Sequence, residues 1–177
     1  MILKNSSLRI GLDLDDTCNY WYSEYLKLFG KPTSDSEITK NVEKKLKTNR
    51  EFWLNLPIKC RPDFKVALYC TKRVSNKNYS KQWLEQHEFP KAPVYQMYTQ
   101  LGNKARMIKG RVDVFVDDSV YNMIKMNLAG VPCLLMDSPY NREWGPIGRI
   151  YSLDLEEIEE TYKLFMDTIY PNFKNLI

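Results

Sequence analysis

Residues 8–17 read LRIGLDLDDT, an apolar run that ends in aspartates and a threonine. Further apolar runs of strand length follow at residues 66–70, 94–97, 112–116 and 132–136. Stretches of helix-like sequence lie between or after them, at residues 80–88, 119–129 and 155–169. The last of these is expected to begin with a capping box formed by Asp154 and Glu157. Short apolar strands that alternate with helices predict an α/β fold with a mostly parallel sheet flanked by helices.

Residues 18–62 interrupt this alternation, because they contain helix-like sequence and no apolar run of strand length. The segments NYWYSEYLKLF and SEITKNVEKKLKTNREFWLNL each read as helical. Two helices are more than one crossover connection needs. We therefore expect a small helical insert at about residues 18–62, placed after the first strand of a single domain that spans residues 1–177.

The composition is that of a soluble globular protein, with 44% hydrophobic residues and a mild net charge of +4. None of the four cysteines belongs to a C-x-x-C pair and there is one histidine, so a zinc site is not expected. The hydrophobic pattern indicates neither a signal peptide nor a membrane-spanning segment. We expect a cytoplasmic protein with reduced thiols and no membrane partner.

Polar residues follow several of the predicted strands at the point where each strand ends. The first strand is followed by Asp13, Asp15 and Thr17, the second by Thr71, Lys72 and Arg73, and the fourth by Asp117 and Asp118, while Lys104 precedes the fourth. Ligands of open α/β sheets bind beyond the carboxyl ends of the strands. We therefore expect these side chains to converge on one edge of the sheet.

Convergence of this many carboxylates predicts a cation site. Asp13 and Asp15 are two residues apart on an extended segment, so their side chains begin on the same face. The addition of Asp117 and Asp118 is costly unless a cation neutralises the cluster or some of the acids hold protons. Oxygen ligands without histidine or thiolate favour Mg²⁺. A phosphate group bound beside the ion would find positive charge on Lys104 and a hydroxyl on Thr71.

The order of these residues resembles the four signature motifs of the haloacid dehalogenase-like superfamily. Asp13, Asp15 and Thr17 match the first motif, Thr71 the second, Lys104 the third, and Asp117 with Asp118 the fourth. The resemblance implies a Rossmann-like sheet and a Mg²⁺-dependent phosphatase. In that superfamily the first aspartate, here Asp13, is the nucleophile that forms an aspartyl phosphate. The second, here Asp15, is the general acid and base.

The same resemblance implies a ligand set for the metal and for phosphate. Mg²⁺ would be held by the carboxylate of Asp13, the backbone carbonyl of Asp15 and the carboxylate of Asp117. Lys104 and Thr71 would bind the phosphate group. The remaining motif residues, Asp118 and Thr17, would support the ligands from behind.

A narrower resemblance, to the 5'(3')-deoxyribonucleotidases, covers most of the chain. The similar pieces are FWLNLP at 52–57, YCTKR at 69–73, WLEQH at 83–87, VFVDD at 114–118 and PYNRE at 139–143. That family carries a small helical cap between its first and second motifs, with aromatic rings over the nucleoside. The resemblance implies a nucleoside monophosphate as substrate. Candidates for substrate contact are Phe52, Trp53, Trp21, Lys72 and Arg73.

The chain departs from that family in ways that leave its substrate open. Asp16 replaces a common glycine, Thr17 replaces a common valine, and residues 57–65 are too short for the family's usual helix. Packing within the insert is the alternative role for each aromatic ring. The sequence does not indicate the base, the sugar, the position of the phosphate or the oligomeric state.

Two other functions remain as alternatives. A polynucleotide-end phosphatase would use the same chemistry, with the basic residues Lys44, Lys45, Lys47 and Arg50 along a phosphate backbone. A receiver domain of response regulators also has clustered aspartates, a threonine, a lysine and Mg²⁺. Its lysine follows the last strand, however, whereas Lys104 precedes the Asp117 pair.

Overall fold

The computed structural model describes residues 3–73, 78–97 and 103–174, which contain a parallel sheet of six strands. The strands are β1 (Ile10–Leu12), β2 (Leu68–Lys72), β3 (Val94–Met97), β4 (Val114–Asp117), β5 (Cys133–Met136) and β6 (Arg149–Ile150). They lie in the order β3-β2-β1-β4-β5-β6, and every neighbouring pair is parallel. The predicted α/β fold, a Rossmann-like parallel sheet flanked by helices, is confirmed.

The helices lie between the strands and after the last one. They are α1 (Trp21–Phe29), α2 (Asp35–Asn41), α3 (Arg50–Leu54), α4 (Tyr79–Gln86), α5 (Lys104–Ile108), α6 (Val120–Leu128), α7 (Leu155–Thr168) and α8 (Tyr170–Lys174). A π-helical turn, Val42–Leu46, continues α2, and a 3-10 turn spans Arg142–Trp144. None of the described helices has both the length and the apolar character needed to cross a membrane.

Side chains that alternate along the strands divide the core into two layers. Tyr69 of β2 packs in one layer, while its neighbours Leu68 and Cys70 pack in the other. The first layer includes buried residues of α4, α7 and the insert, and the second includes those of α5 and α6. Both faces of the sheet are therefore covered, as an all-parallel sheet requires.

Gly11 leaves room for the side chains of Phe115 and Val112 to pack against β1 at the centre of the sheet. A Cβ atom at this position would lie 2.7 Å from Cδ2 of Phe115 and 2.8 Å from Cγ1 of Val112. β1 and β4 are neighbours in register, with Leu12 opposite Val116. This pairing brings the residues that follow the two strands, including Asp13, to the same edge of the sheet.

The residues between β1 and β2 form helices and no strand, as expected for the insert. They fold into three helical segments, α1, α2 with its π-helical turn, and α3, where the sequence indicated two. The insert packs against α4, where Gln86 Nε2 donates to the carbonyl of Leu54 at 3.0 Å and Tyr79 donates to that of Thr48 at 3.4 Å.

Other details of the predicted elements were wrong or missing. Strand β6 and helix α5 were not predicted, because two and five residues carry too little periodicity. The capping box of α7 does not form. The Glu157 carboxylate accepts instead from the backbone N–H groups of Tyr151 and Ser152, at 2.7 and 2.9 Å. Asp63, distant in sequence, accepts from the N–H of Leu155 at 3.0 Å.

Candidate active site

A buried lysine lies between two aspartates at the carboxyl edge of the sheet. Nζ of Lys104, the first residue of α5, lies 2.6 Å from Oδ2 of Asp13 and 2.7 Å from Oδ2 of Asp117. Burial alone lowers the pKa of Lys104, but the carboxylates of Asp117 and Asp13 raise it above its ordinary value. The lysine is therefore held as a cation next to both acids.

A third carboxylate gives this cluster an excess of negative charge. Oxygens of Asp13, Asp117 and Asp118 all lie within 4.8 Å of one another, and all three residues are buried. Burial, with help from neighbouring acids, raises the pKa of Asp13 well above its ordinary value and that of Asp118 to about 8. Such shifts express the cost of crowding carboxylates that one ammonium does not fully neutralise.

The donor set fits a hard divalent cation. Oδ1 of Asp13 is buried and makes no hydrogen bond to any part of the chain that the structure describes. Burial of an unpaired carboxylate oxygen is costly, and a cation beside the cluster would lessen that cost. The cluster offers oxygen atoms only, the ligands that Mg²⁺ prefers. Asp118 belongs to this set by its position, whereas the side chain of Asp15 lies outside it.

Asp117 is fixed in place by helix α6. Its Oδ1 accepts from the backbone N–H of Ser119 at 2.9 Å and from Nδ2 of Asn122 at 3.0 Å. Oδ1 of Asn122 accepts in turn from Nζ of Lys72 at 3.0 Å. Asn122 was not predicted as a site residue. Ser119 at the N-cap of α6 places the residue three positions later in the first turn of that helix, and this is the signal that could have found Asn122. Lys72, a candidate for substrate contact, is thus bonded to Asn122.

Asp15 is two residues from Asp13 in sequence but has a separate partner. Arg73, which follows β2, donates from Nη2 to Oδ1 of Asp15 at 2.5 Å and from Nε to Oδ2 at 3.1 Å. Nδ2 of Asn19 also donates to Oδ1 of Asp15, at 3.3 Å. The side chain of Arg73 is 1% exposed. Arg73 is therefore occupied by Asp15 and does not present its guanidinium to a ligand.

Two threonine hydroxyls of the predicted site are buried without partners. Oγ1 of Thr71 and Oγ1 of Thr17 make no hydrogen bond within the described residues. Buried hydroxyl groups normally have at least one partner. Both groups are available to donate to a bound anion or to water, and Thr71 is the next-to-last residue of β2.

The loops behind the cluster contribute residues that sequence reasoning did not single out. The Tyr140 hydroxyl donates to Oδ2 of Asp118, and Nδ2 of Asn141 donates to the backbone carbonyl of Asp118 at 2.7 Å. Nζ of Lys59 donates to the carbonyls of Asp16 and Asp137, at 2.5 and 2.6 Å. The segment PYNRE has a signal in the sequence only through the family resemblance, and Lys59 has none. Together these residues join the loops after β1 and β5.

The aromatic residues proposed for substrate contact differ in their accessibility. Trp53 is 1% exposed, its Nε1 donates to the carbonyl of Leu46 at 2.7 Å, and its ring packs against Arg73. The expectation that Trp53 contacts the substrate is therefore wrong, because the ring belongs to the core of the insert. Phe52 is partly exposed and meets Trp53 edge to face. Trp21 is also partly exposed, with a buried Nε1 that has no partner among the described residues.

Comparison with protein-family models and with curated proteins finds no match for this chain. The resemblance stated above is therefore carried by the motif residues themselves.

Proposed function

We propose that this chain is a Mg²⁺-dependent phosphatase that works through an aspartyl phosphate on Asp13. The different environments of the two Asp13 carboxylate oxygens support this proposal most directly. One of its oxygens is paired with Lys104 at 2.6 Å, while the other is buried and free within the described residues. A carboxylate that is held by one oxygen and unpaired at the other is suited to nucleophilic attack.

The proposed reaction has two steps. An oxygen of Asp13 bonds to phosphorus as the bond from phosphorus to the leaving alcohol breaks, and protonated Asp15 gives its proton to the leaving oxygen. The Asp15 carboxylate then takes a proton from water, whose oxygen bonds to phosphorus as the bond to Asp13 breaks. Inorganic phosphate leaves, and both aspartates return to their starting states.

The surrounding residues would bind the metal and the phosphate group. The carboxylates of Asp13 and Asp117 and the backbone carbonyl of Asp15 would hold Mg²⁺, with Asp118 within reach. When bound, Mg²⁺ supplies positive charge that stabilises the transferring phosphoryl group. Lys104 and the unpartnered hydroxyl of Thr71 would add an ammonium and a hydrogen-bond donor beside it.

A nucleoside monophosphate is the substrate that we propose. Insert residues contact the loops at the strand ends, where Tyr22 meets Tyr140 edge to face with ring centroids 5.2 Å apart. An insert placed beside the strand ends favours a small ligand over a polymer. Phe52 and Trp21 are the proposed aromatic contacts, since Trp53 is buried.

A polynucleotide-end phosphatase remains the second candidate because of one surface feature. Lys40, Lys44, Lys45, Lys47 and Arg50 are all exposed on the insert between α2 and α3. Exposed basic residues of this kind can follow a phosphate backbone.

The test is a phosphate-release screen with and without Mg²⁺. The substrates are nucleoside monophosphates, sugar phosphates and end-phosphorylated oligonucleotides. Mg²⁺-dependent release from mononucleotides is the expected result. No release from any phosphomonoester would overturn the proposed function.

A further inference from the structure

We propose that Arg73 and Trp53 are positioning residues for Asp15. The helical insert then affects the reaction by fixing the position of Asp15. Trp53 contributes to this through Arg73, without touching the substrate. The inference rests on the proposed function, because it assigns both residues to the general acid and base of that reaction.

The contact between Arg73 and Asp15 fixes the orientation of the carboxylate. Two nitrogens of the guanidinium bond the two oxygens of Asp15, at 2.5 and 3.1 Å. A bidentate pair of this kind sets the plane of the carboxylate as well as its position. The N–H groups of the guanidinium lie in one rigid plane, so the geometry of the pair persists for as long as the guanidinium itself stays in place.

The guanidinium is held from two further sides. Nη1 of Arg73 donates to Oγ of Ser80 on α4 at 3.2 Å, and that hydroxyl donates to Oε1 of Gln96 on β3 at 2.8 Å. The Arg73 guanidinium carbon also lies 4.6 Å from the centroid of the Trp53 ring. Cation–π contact of this kind is stronger when both groups are buried, as they are here.

Trp53 connects this arrangement to the fold of the insert. Its Nε1 donates to the carbonyl of Leu46 in the π-helical turn at 2.7 Å, and Phe52 packs against its ring. A chain of contacts therefore runs from the insert through Trp53 and Arg73 to Asp15. Displacement of the insert would release one face of the guanidinium and loosen the carboxylate that it holds.

Steady-state kinetics of variants provide the first test, with thymidine 5'-monophosphate and para-nitrophenyl phosphate as substrates. Arg73→Met removes the guanidinium, Arg73→Lys keeps a charge without the paired N–H groups, and Trp53→Leu removes the ring. We expect kcat to fall about 10- to 100-fold for Arg73→Met, part of the about 10²- to 10⁴-fold that proton transfer contributes. The KM of Arg73→Met should stay within about 2-fold of the wild-type value on both substrates. Arg73→Lys should recover part of the lost kcat. Trp53→Phe, which keeps a ring beneath Arg73, should lose less than Trp53→Leu.

Trp83 offers a matched control for the loss of a buried indole. It is fully buried, and its Nε1 donates to the carbonyl of Leu56 at 2.8 Å. Its ring packs against the rings of His87 and Phe89. Trp83→Leu should therefore destabilise the protein as Trp53→Leu does and leave kcat per folded molecule unchanged. Equal kcat in the two leucine variants would overturn the role of Trp53. A rise in KM for the nucleotide alone in Arg73→Met would assign Arg73 to the substrate and overturn its positioning role.

A second measurement separates failure of this inference from failure of the proposed function. Urea unfolding is measured for Arg73→Met, Asp15→Asn, Trp53→Leu and the paired variants, with no substrate present. Positive coupling between Arg73 and Asp15, and between Trp53 and Asp15, is expected, since the three side chains form one contact chain. Additive effects of Trp53→Leu and Asp15→Asn would overturn the inference even in an active phosphatase. Coupling in a protein that hydrolyses no phosphomonoester would count against the proposed function alone.

Discussion

Lys104 binds only one of the two carboxylate oxygens of Asp13, at 2.6 Å, and leaves the other buried without a partner in the described part of the chain. The ammonium thus restrains the side chain without occupying the oxygen that would attack a substrate. The remaining negative charge comes from Asp117 and Asp118, whose oxygens lie within 4.8 Å of those of Asp13. Each of these features has a consequence that substitution or metal removal can test.

Asp13→Asn should abolish phosphate release while the protein stays folded. An amide has nearly the shape of a carboxylate but is a far weaker nucleophile, and Asp117 still neutralises Lys104 in the variant. We expect the free energy of unfolding to fall by no more than about 3 kcal/mol, the usual range for a single substitution. The control is Asp113→Asn, which removes an acid paired with Arg9 away from the cluster and should keep full activity. A kcat of one tenth of wild type or more in Asp13→Asn would refute the nucleophile.

Lys104→Met should make stability depend strongly on Mg²⁺. Removal of one partner from a buried charge cluster typically costs about 3–5 kcal/mol. Mg²⁺ should then restore more stability to the variant than it adds to wild type, because it replaces the missing positive charge. Thermal unfolding with and without Mg²⁺ measures both quantities. Lys109→Met, at an exposed lysine that donates to the carbonyl of Ala129, is the control and should show the wild-type response. An equal Mg²⁺ response in all three proteins would contradict a metal site beside Lys104.

Chelation should remove phosphatase activity, and Mg²⁺ should restore it. The crowding of three buried carboxylates is the physical reason. Ca²⁺ should restore activity poorly, because its larger and looser coordination places the nucleophile badly. Turnover is measured after dialysis against a chelator and again after addition of each ion. Full turnover in excess chelator would eliminate the metal assignment.

The sequence predicted the sheet edge better than it predicted the contacts between loops. Short apolar runs mark strands that are buried on both faces, so the residues directly after them, such as Asp13 and Thr71, could be placed at the carboxyl edge. The bond between Arg73 and Asp15 depends on how two loops distant in sequence approach each other, and no local pattern encodes that. A tryptophan that packs a core and one that stacks on a ligand look alike in sequence, which is why Trp53 was misplaced.

Tyr140→Phe should weaken Mg²⁺ binding. The Tyr140 hydroxyl donates to Oδ2 of Asp118, and loss of a partner behind a metal ligand typically lowers metal affinity about 10- to 100-fold. Isothermal titration calorimetry with Mg²⁺ measures the change directly. The control is Tyr121→Phe, at a tyrosine that is exposed on α6, and it should bind Mg²⁺ as wild type does. Unaltered affinity in Tyr140→Phe would place Asp118 outside the metal site.

Phe52→Ala should weaken binding of nucleotides and spare small phosphate esters. Phe52 is partly exposed beside buried Trp53, so its ring can meet a base while Trp53 supports it from behind. Stacking on an aromatic ring contributes about 1–3 kcal/mol per base, which corresponds to a rise in KM of roughly 5- to 100-fold. KM for para-nitrophenyl phosphate should hardly change, because phosphate contacts are common to both substrates.

Phe29→Ala is the control within the same insert, since that ring packs against Tyr25 and lies beneath Lys45. Equal losses on both substrates would mean that Phe52 only packs the insert. Faster hydrolysis of a phosphorylated oligonucleotide than of any mononucleotide would favour the end-repair reaction, and Lys44→Glu should then slow it.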